Sequence, residues 1–251
     1  MKIIVKDSAA DASAAVADML LQQIGKKQDS VLGLPTGGTP LGVYARLREA
    51  YRNGQGSYKF LTTFNLDEYI GLSSNDPESY AAYMLENLFG HVNIDISRTH
   101  VPRGSALDAE TEAARYESLI AAYGGIDLML LGLGRNAHIG FNEPGSPHNS
   151  RTRRVALTQS TLDANAAYFP AGAVQPSHAI TMGIGTILEC RKIVVLATGQ
   201  GKADAVAASV KGPPSEDVPG SALIRHADIT IVLDRAAAAN LDYAQTRELE
   251  A

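Results

Sequence analysis

Short apolar runs rich in β-branched residues alternate along the chain with longer stretches whose apolar positions recur every three or four residues, the pattern of βα units around a parallel sheet. Strands are expected at "KIIV" (2–5), "SVLGLP" (30–35), "LTTFNL" (61–66), "IDLMLLGL" (126–133), "HAITMG" (178–183), "KIVVLAT" (192–198) and "ITIVLD" (229–234). Several of these carry no polar alternation, as strands covered on both faces require. Between them, "DASAAVADMLLQQIGKK" (11–27), "LGVYARLREAYRNG" (41–54), "PESYAAYMLENLFGHV" (77–92) and "DAETEAARYESLIAAYGG" (108–125) predict amphipathic helices that end near glycine or basic residues. No repeat, low-complexity segment or long linker breaks the pattern. The expectation is an α/β fold, a single doubly wound, mostly parallel sheet flanked by helices (Rossmann-like), as one domain over residues 1–251.

Composition narrows the classes without naming a function. A chain of 251 residues, 45% apolar and 20% charged, can bury a core without disulfides or metal staples. A net charge of −5 with no sustained Lys/Arg stripe argues against nucleic acid or an anionic membrane as the main partner. The one cysteine, Cys190, cannot form an internal disulfide, no charged-then-apolar leader precedes "KIIV", and no stretch approaches the roughly 20 apolar residues of a membrane span. A cytoplasmic location is expected.

In a doubly wound sheet the ligand sits beyond the carboxyl ends of the strands, so the loops that leave strands are where chemistry should lie. "GLPTGGTP" (33–40) leaves a strand and enters a helix. The glycines Gly37 and Gly38 let backbone N–H groups approach an anion, while Thr36 and Thr39 add hydroxyl donors. The loop lacks the GK[ST] ending of a nucleoside-triphosphate site, so a sugar phosphate fits better than ATP. Its structural alternative is a tight turn with Thr39 as helix N-cap and Pro40 at the first helical position. "FNLDEYIGL" (64–72) places Asp67 and Glu68 just past a strand; neighbours in extended chain point opposite ways, so one of them should face the crevice. Asp67 could be a general base for a carbon acid or a helix N-cap, and spacing alone favours the cap.

The third loop, "GLGRNAHIGFNEP" (132–144), follows the apolar run "IDLMLL". Its opening resembles a dinucleotide fingerprint, but Ala137 occupies the third glycine position and no ribose-binding acid follows at the usual interval, so nicotinamide is not expected. His138 and Glu143, five positions apart, could meet as a base and its orienting carboxylate if the segment turns. The other histidines are scattered and no HExxH or paired-cysteine spacing exists, so no metal is expected.

The wording "GLPTGGTP", "FNLDEYIGL", "GLGRNAHIGFNEPGS" and "SRTR", in that order and spacing, closely resembles the glucosamine-6-phosphate deaminase family from about residue 2 to 235. The resemblance implies conversion of glucosamine 6-phosphate and water to fructose 6-phosphate and ammonia, with no metal or organic cofactor. It implies that His138 opens the sugar ring, with Glu143 as its paired acid and Asn136 orienting it, and that Asp67 moves the C2 proton to C1. Pro35, Thr36, Gly37, Gly38 and Thr39 would form the phosphate loop, joined by Lys202 of "ATGQGKADAV" at the start of a helix. The related 6-phosphogluconolactonase family also has a Gly-x-Gly loop leading to a histidine, but lacks the "GFNEP" and "LDEY" segments. A non-catalytic sugar-phosphate sensor on this fold would need neither acid nor base and would carry a DNA-binding helix pair ahead of the sheet.

Three departures from the family pattern carry expectations. Asn136 stands where some members have aspartate; it can still orient His138 but adds no negative charge, so a shifted pH profile rather than inactivity is expected. Ala167, in "ANAAYF", stands where the family usually has a phosphate-binding arginine, a loss on the order of 1.5–3 kcal/mol of binding unless another cation substitutes. Activity on unphosphorylated glucosamine is one consequence. Hexameric members are activated at a subunit interface built around the segment after "NEP" and a C-terminal extension; here Arg153 is retained, but Val155 replaces a lysine, Pro147 a serine, and the tail "NLDYAQTRELEA" is short. Simple saturation kinetics and a monomer or small homo-oligomer are therefore expected.

Overall fold

The computed structural model describes residues 1–170 and 172–242. The chain runs β1 (Lys2–Lys6), α1 (Ala9–Lys26), β2 (Val31–Leu34), α2 (Leu41–Arg52), β3 (Thr62–Asn65), β4 (Asp67–Tyr69), α3 (Tyr80–Asn87), β5 (Thr99–His100), α4 (Ala109–Ala122) and β6 (Leu128–Gly132), then β7 (Arg153–Ala156), α5 (Gln159–Asn165), β8 (His178–Thr181), α6 (Ile184–Leu188), β9 (Ile193–Ala197), α7 (Ala203–Lys211) and β10 (Ile229–Asp234). Seven strands form one sheet in the order β1-β10-β9-β6-β2-β3-β5, and every pairing in it is parallel.

The continuous apolar runs of the central strands have a direct cause. Successive residues of a strand point to opposite faces, and in β9 the side chains of Ile193, Val195 and Ala197 join one apolar cluster while Val194 and Leu196 join another on the other face. In β6 the same split sends Met129 and Leu131 one way and Leu128 and Leu130 the other. The first cluster is closed by Tyr116 and Ile120 of α4 and by α6 and α7; the second is closed by Val16 and Leu20 of α1, Val43 and Leu47 of α2, and Met84 of α3. A polar residue at any of these positions would be buried, and each full-sized apolar side chain sealed there contributes about 1.5–3 kcal/mol. No helix among the described residues is long and apolar enough to cross a membrane.

Chain order within the sheet locates the crevice. From β2 the chain moves outward to β3 and β5; from β6 it moves the other way to β9 and β10. Adjacent β2 and β6 thus form the topological switch point, and the loops at their carboxyl ends flank a cleft.

Three expectations need correction. "HAITMG" yields β8, which does not enter the parallel sheet: it pairs antiparallel with β4 and β7 in a separate three-stranded sheet. Its apolar residues are buried all the same, so burial pattern alone could not tell the two sheets apart. The helix expected over 77–92 is shorter, Tyr80–Asn87, because the Ser79 side chain accepts from the Ala82 N–H and starts it there. Thr39 does not cap α2; Pro40 holds the N-cap position with no side-chain bond to the helix. The expectation about the tail from residue 243 onward falls outside the described residues.

Candidate active site

At the carboxyl end of β2, the glycine loop is tied back by two tyrosines. The buried Tyr44 hydroxyl donates to the Pro35 carbonyl (2.5 Å) and Tyr83 of α3 donates to the Gly37 carbonyl (2.6 Å). With these carbonyls fixed toward the protein, the intervening peptide groups are constrained as a fixed loop of N–H donors, as an anion cradle requires. Thr39 reaches the adjacent strand: a Cβ on Gly132, the last residue of β6, would lie 3.6 Å from its side chain. The two loops of the switch point therefore touch.

Past β6 the chain folds tightly. Gly134 N–H donates to the His138 carbonyl (2.8 Å), Ala137 N–H donates to the Gly134 carbonyl (3.1 Å), and Ala137 takes φ +64°, the left-handed region that costs an L-residue roughly 1–2 kcal/mol. This turn lays the imidazole against Gly134, where a Cβ would stand 2.3 Å from Nδ1; only glycine fits there. Asn142 staples the far side of the turn, donating to the carbonyls of Ile139 (2.9 Å) and Met182 (2.7 Å).

The turn brings His138, Asn136 and Glu143 together, and one chain of hydrogen bonds sets their protons. Glu143 Oε2 can only accept, so it takes the Asn136 Nδ2 amide hydrogen (2.6 Å). That orientation turns Asn136 Oδ1 to His138 Nδ1, 2.7 Å away. An amide oxygen accepts, so Nδ1 carries the proton and Nε2 keeps its lone pair. Glu143 Oε1 stands 3.6 Å from Nδ1, an ion-pair distance rather than a hydrogen bond, and also accepts from Thr161 Oγ1 of α5 (2.5 Å). Partial burial raises the Glu143 carboxyl, but the nearby imidazole, Thr161 and Asn136 outweigh it and hold the group down at about 2.

Asp67 occupies a different environment. It lies on β4, not on a loop or at a helix start, and its side chain is buried beside the histidine turn: a Cβ on Gly140, two residues past His138, would sit 3.2 Å from Asp67 Oδ2. Burial, then the neighbouring Glu68, push its carboxyl up to about 8, against hydrogen bonds from the Phe141 N–H and Thr181. Glu68 points the other way and shares the capping of α3 with Ser79: it accepts from the N–H of its neighbour Tyr69 (2.9 Å) and from those of Tyr80 and Ala81 at the start of the helix (3.0 and 3.1 Å). Burial pushes Glu68 up to about 7 in spite of those donors. Tyr80 of α3 stands beside the same acid: its hydroxyl donates to the Tyr69 hydroxyl (3.2 Å), and burial, then Tyr69 and the charge of Asp67, raise it well above the usual tyrosine value.

Lys202 closes the 3₁₀ turn Gln200–Lys202 and stands at the N-cap position of α7. Burial, and then the positive charge of Arg135, lower its pKa. Arg135 is a cation that the reading of the sequence did not single out, and neither were Tyr44, Tyr80, Tyr83 or Thr161; its place directly before Asn136 in "GRNAH" was the available signal. Ala167 lies exposed in the 3₁₀ turn Ala166–Tyr168. Arg153 on β7 is half-buried and satisfied within the chain, donating to Asn142 Oδ1 (2.9 Å) and weakly to Ser146 Oγ (3.4 Å), and Val155 packs on the apolar cluster of Tyr69, Phe141 and Ala179. Among the described residues, no group of three or more His, Cys, Asp or Glu side chains is arranged to hold a metal ion.

Comparison with known proteins identifies the family. The family model described as glucosamine-6-phosphate isomerases/6-phosphogluconolactonase matches residues 5–232. The glucosamine-6-phosphate deaminase of Cellvibrio japonicus is 50% identical over 241 residues, covering 96% of this chain and 92% of that one; that of Rhodopirellula baltica is 53% identical over 231 residues, 92% of each. The solved structure of a monomeric glucosamine-6-phosphate deaminase superposes with a TM-score of 0.93 at 46% identity, over 96% of this chain and all of the other. The 6-phosphogluconolactonase of Trypanosoma cruzi shares the fold, with a TM-score of 0.76 at 24% identity over 96% of both chains. With two strand-end loops meeting at one switch point and relatives matched over nearly the whole length, the chain belongs to the glucosamine-6-phosphate isomerase/6-phosphogluconolactonase family.

Proposed function

We propose that the chain is a glucosamine-6-phosphate deaminase, converting glucosamine 6-phosphate and water to fructose 6-phosphate and ammonia. The observation that carries this reading is the pairing of a buried, strongly basic carboxylate, Asp67, with an imidazole whose Nε2 lone pair is exposed by the Glu143–Asn136–His138 chain. The substrate is a closed pyranose. His138 Nε2 takes the anomeric hydroxyl proton and returns it to the ring oxygen as the C1–O5 bond breaks, giving the open-chain aldehyde. Asp67 then removes the C2 proton, now acidified by the carbonyl, while the substrate's ammonium group gives a proton to the C1 oxygen, and the resulting enolamine takes the proton back from Asp67 at C1. This converts C2 to an iminium centre, water adds there, and ammonia leaves as the C2 carbonyl forms. A carboxyl whose proton affinity lies near neutrality is matched to taking and giving back the same proton.

A lactonase needs water activated at an ester carbonyl and has no carbon-bound proton to move, so it leaves Asp67 without a task. The relatives at about half identity carry the deaminase name over more than nine-tenths of this chain. We infer further that the protein is a monomer or small homo-oligomer whose subunits work independently: Arg153, the retained element of the family's effector site, bonds to Asn142 and Ser146 of its own chain. The test is ammonia release coupled to fructose 6-phosphate detection, with glucosamine 6-phosphate and glucosamine supplied side by side and 6-phosphogluconolactone hydrolysis run in parallel. Ammonia from the phosphorylated sugar, with hyperbolic saturation, is expected. Lactone hydrolysis without ammonia release overturns the reaction, and a sigmoidal curve overturns the independent subunit.

A further inference from the structure

Arg135 and Lys202 come from distant parts of the chain to one place, and among the described residues no acid pairs with either. The Arg135 guanidinium lies over Gly201, where a Cβ would stand 3.6 Å from Nε and 4.0 Å from Cζ. The next residue is Lys202, at the head of the nine-residue α7. Among the described residues neither cation takes part in an ion pair. The acids nearest in the chain are engaged elsewhere: Asp204 accepts from the Asn240 amide (2.6 Å), and Asp234 accepts from the N–H groups of Gly199 and Ala237. Two like charges held together without a counter-charge repel, and the partial burial of Lys202 sharpens that repulsion. An anion seated between them removes it.

We propose that Arg135 is the second cation of the phosphate site, forming with Lys202 a clamp that takes the 6-phosphate of the amino sugar and stands in for the arginine absent at position 167. This rests on the deaminase reading above. The planar guanidinium can give two parallel N–H donors to a phosphate, the ammonium adds a point charge, and the head of α7 adds its positive end. The clamp also has a positional consequence. Arg135 directly precedes Asn136, so phosphate seated on it anchors the strand of chain that carries the Glu143–Asn136–His138 relay.

The experiment is calorimetric titration with inorganic phosphate, together with KM for glucosamine 6-phosphate, on the wild type and on Arg135→Gln, Arg135→Lys and Lys202→Gln. Arg135→Gln is expected to weaken phosphate binding and raise KM by about tenfold to 150-fold, the loss of one charge-assisted hydrogen-bonding group. Arg135→Lys should recover part of that loss, because it keeps the charge but not the fork; a merely structural arginine would show no such recovery of phosphate affinity. Phosphate affinity and KM unchanged in Arg135→Gln, or no phosphate binding by the wild type with KM unchanged in the variant, overturns the clamp while ammonia release keeps the deaminase reading. Arg135-dependent phosphate binding by a wild type that releases no ammonia overturns the reaction and keeps the clamp.

Discussion

Asp67 and Glu143 are two carboxylates at one cleft whose surroundings drive them in opposite directions. Asp67 sits on a short buried strand beside a second buried acid and is pushed up to about 8. Glu143 sits on a turn, and although burial is the largest single influence on it too, the imidazole, a threonine and an amide bring it down to about 2. Burial raises both and raises the more deeply buried Asp67 further; the donors gathered around Glu143 and the sign of the charge nearest each carboxylate decide the rest. In the proposed reaction the Asp67 half of the cleft holds and releases a proton, and the Glu143 half stays ionised and orients a neighbour.

The largest expected effect breaks the Asp67 half. Asp67→Asn should cut ammonia release by about 10²–10⁴-fold, the usual contribution of a positioned base. It should also stabilise the fold at high pH. A carboxyl raised on folding binds its proton more tightly in the native state than in the unfolded chain, so native stability falls as pH rises from near 4 through about 8. Thermal melts across that range should show variant and wild type alike near pH 4, with the variant ahead at pH 8; a variant no more stable at pH 8 would show that burial imposes no penalty on the charge.

Glu143→Gln tests the other half and is expected to be milder in activity, about 10²-fold in kcat. The new amide can offer a donor to Asn136, which then reverses, presents Nδ2 to the imidazole and moves the ring proton to the nitrogen that should act as base. The stability signature is opposite in sign to that of Asp67. A carboxyl lowered on folding contributes stability that is present above its unfolded value near 4.5 and is lost as pH falls toward about 2. Acid melts should therefore show the wild type ahead of the variant near neutrality and converging with it below pH 3.

The smallest effect sharpens the comparison without breaking it. Asn136→Asp converts the neutral relay into a charged one and should move the imidazole limb of the pH–rate profile upward by roughly one unit, with the protein still active. A profile that does not move would show that Asn136 acts on His138 only through geometry.

Particular residues show what could be read in advance. The β2, β3, β6, β9 and β10 strands were legible because burial on both faces forbids polar residues and leaves unbroken apolar runs. The strands β4 and β7 were not, since three or four residues on a small antiparallel sheet leave too little pattern to register. Asp67, Asn136, His138 and Glu143 could be picked out as candidates from their wording, but spacing favoured Asp67 as a helix cap, and it is Glu68 that takes the first amides of α3. Thr39 met the opposite strand instead of capping its own helix. Arg135 was passed over because its partner, Lys202, lies 67 positions away in the chain.

The amino-acid sequence by itself determined the alternation of strands and helices, the two-sided burial of the central sheet and the placing of candidate chemistry on strand-end loops, because these follow from local periodicity and from the residues that turns and anions require. Only the tertiary structure decided which of two adjacent carboxylates lies beside the histidine turn, which nitrogen of His138 keeps its lone pair and which two cations meet with no ion pair to either among the described residues. Those outcomes depend on donors and charges brought together across long stretches of chain, and proton affinities respond to the few ångströms around a group rather than to its neighbours in sequence.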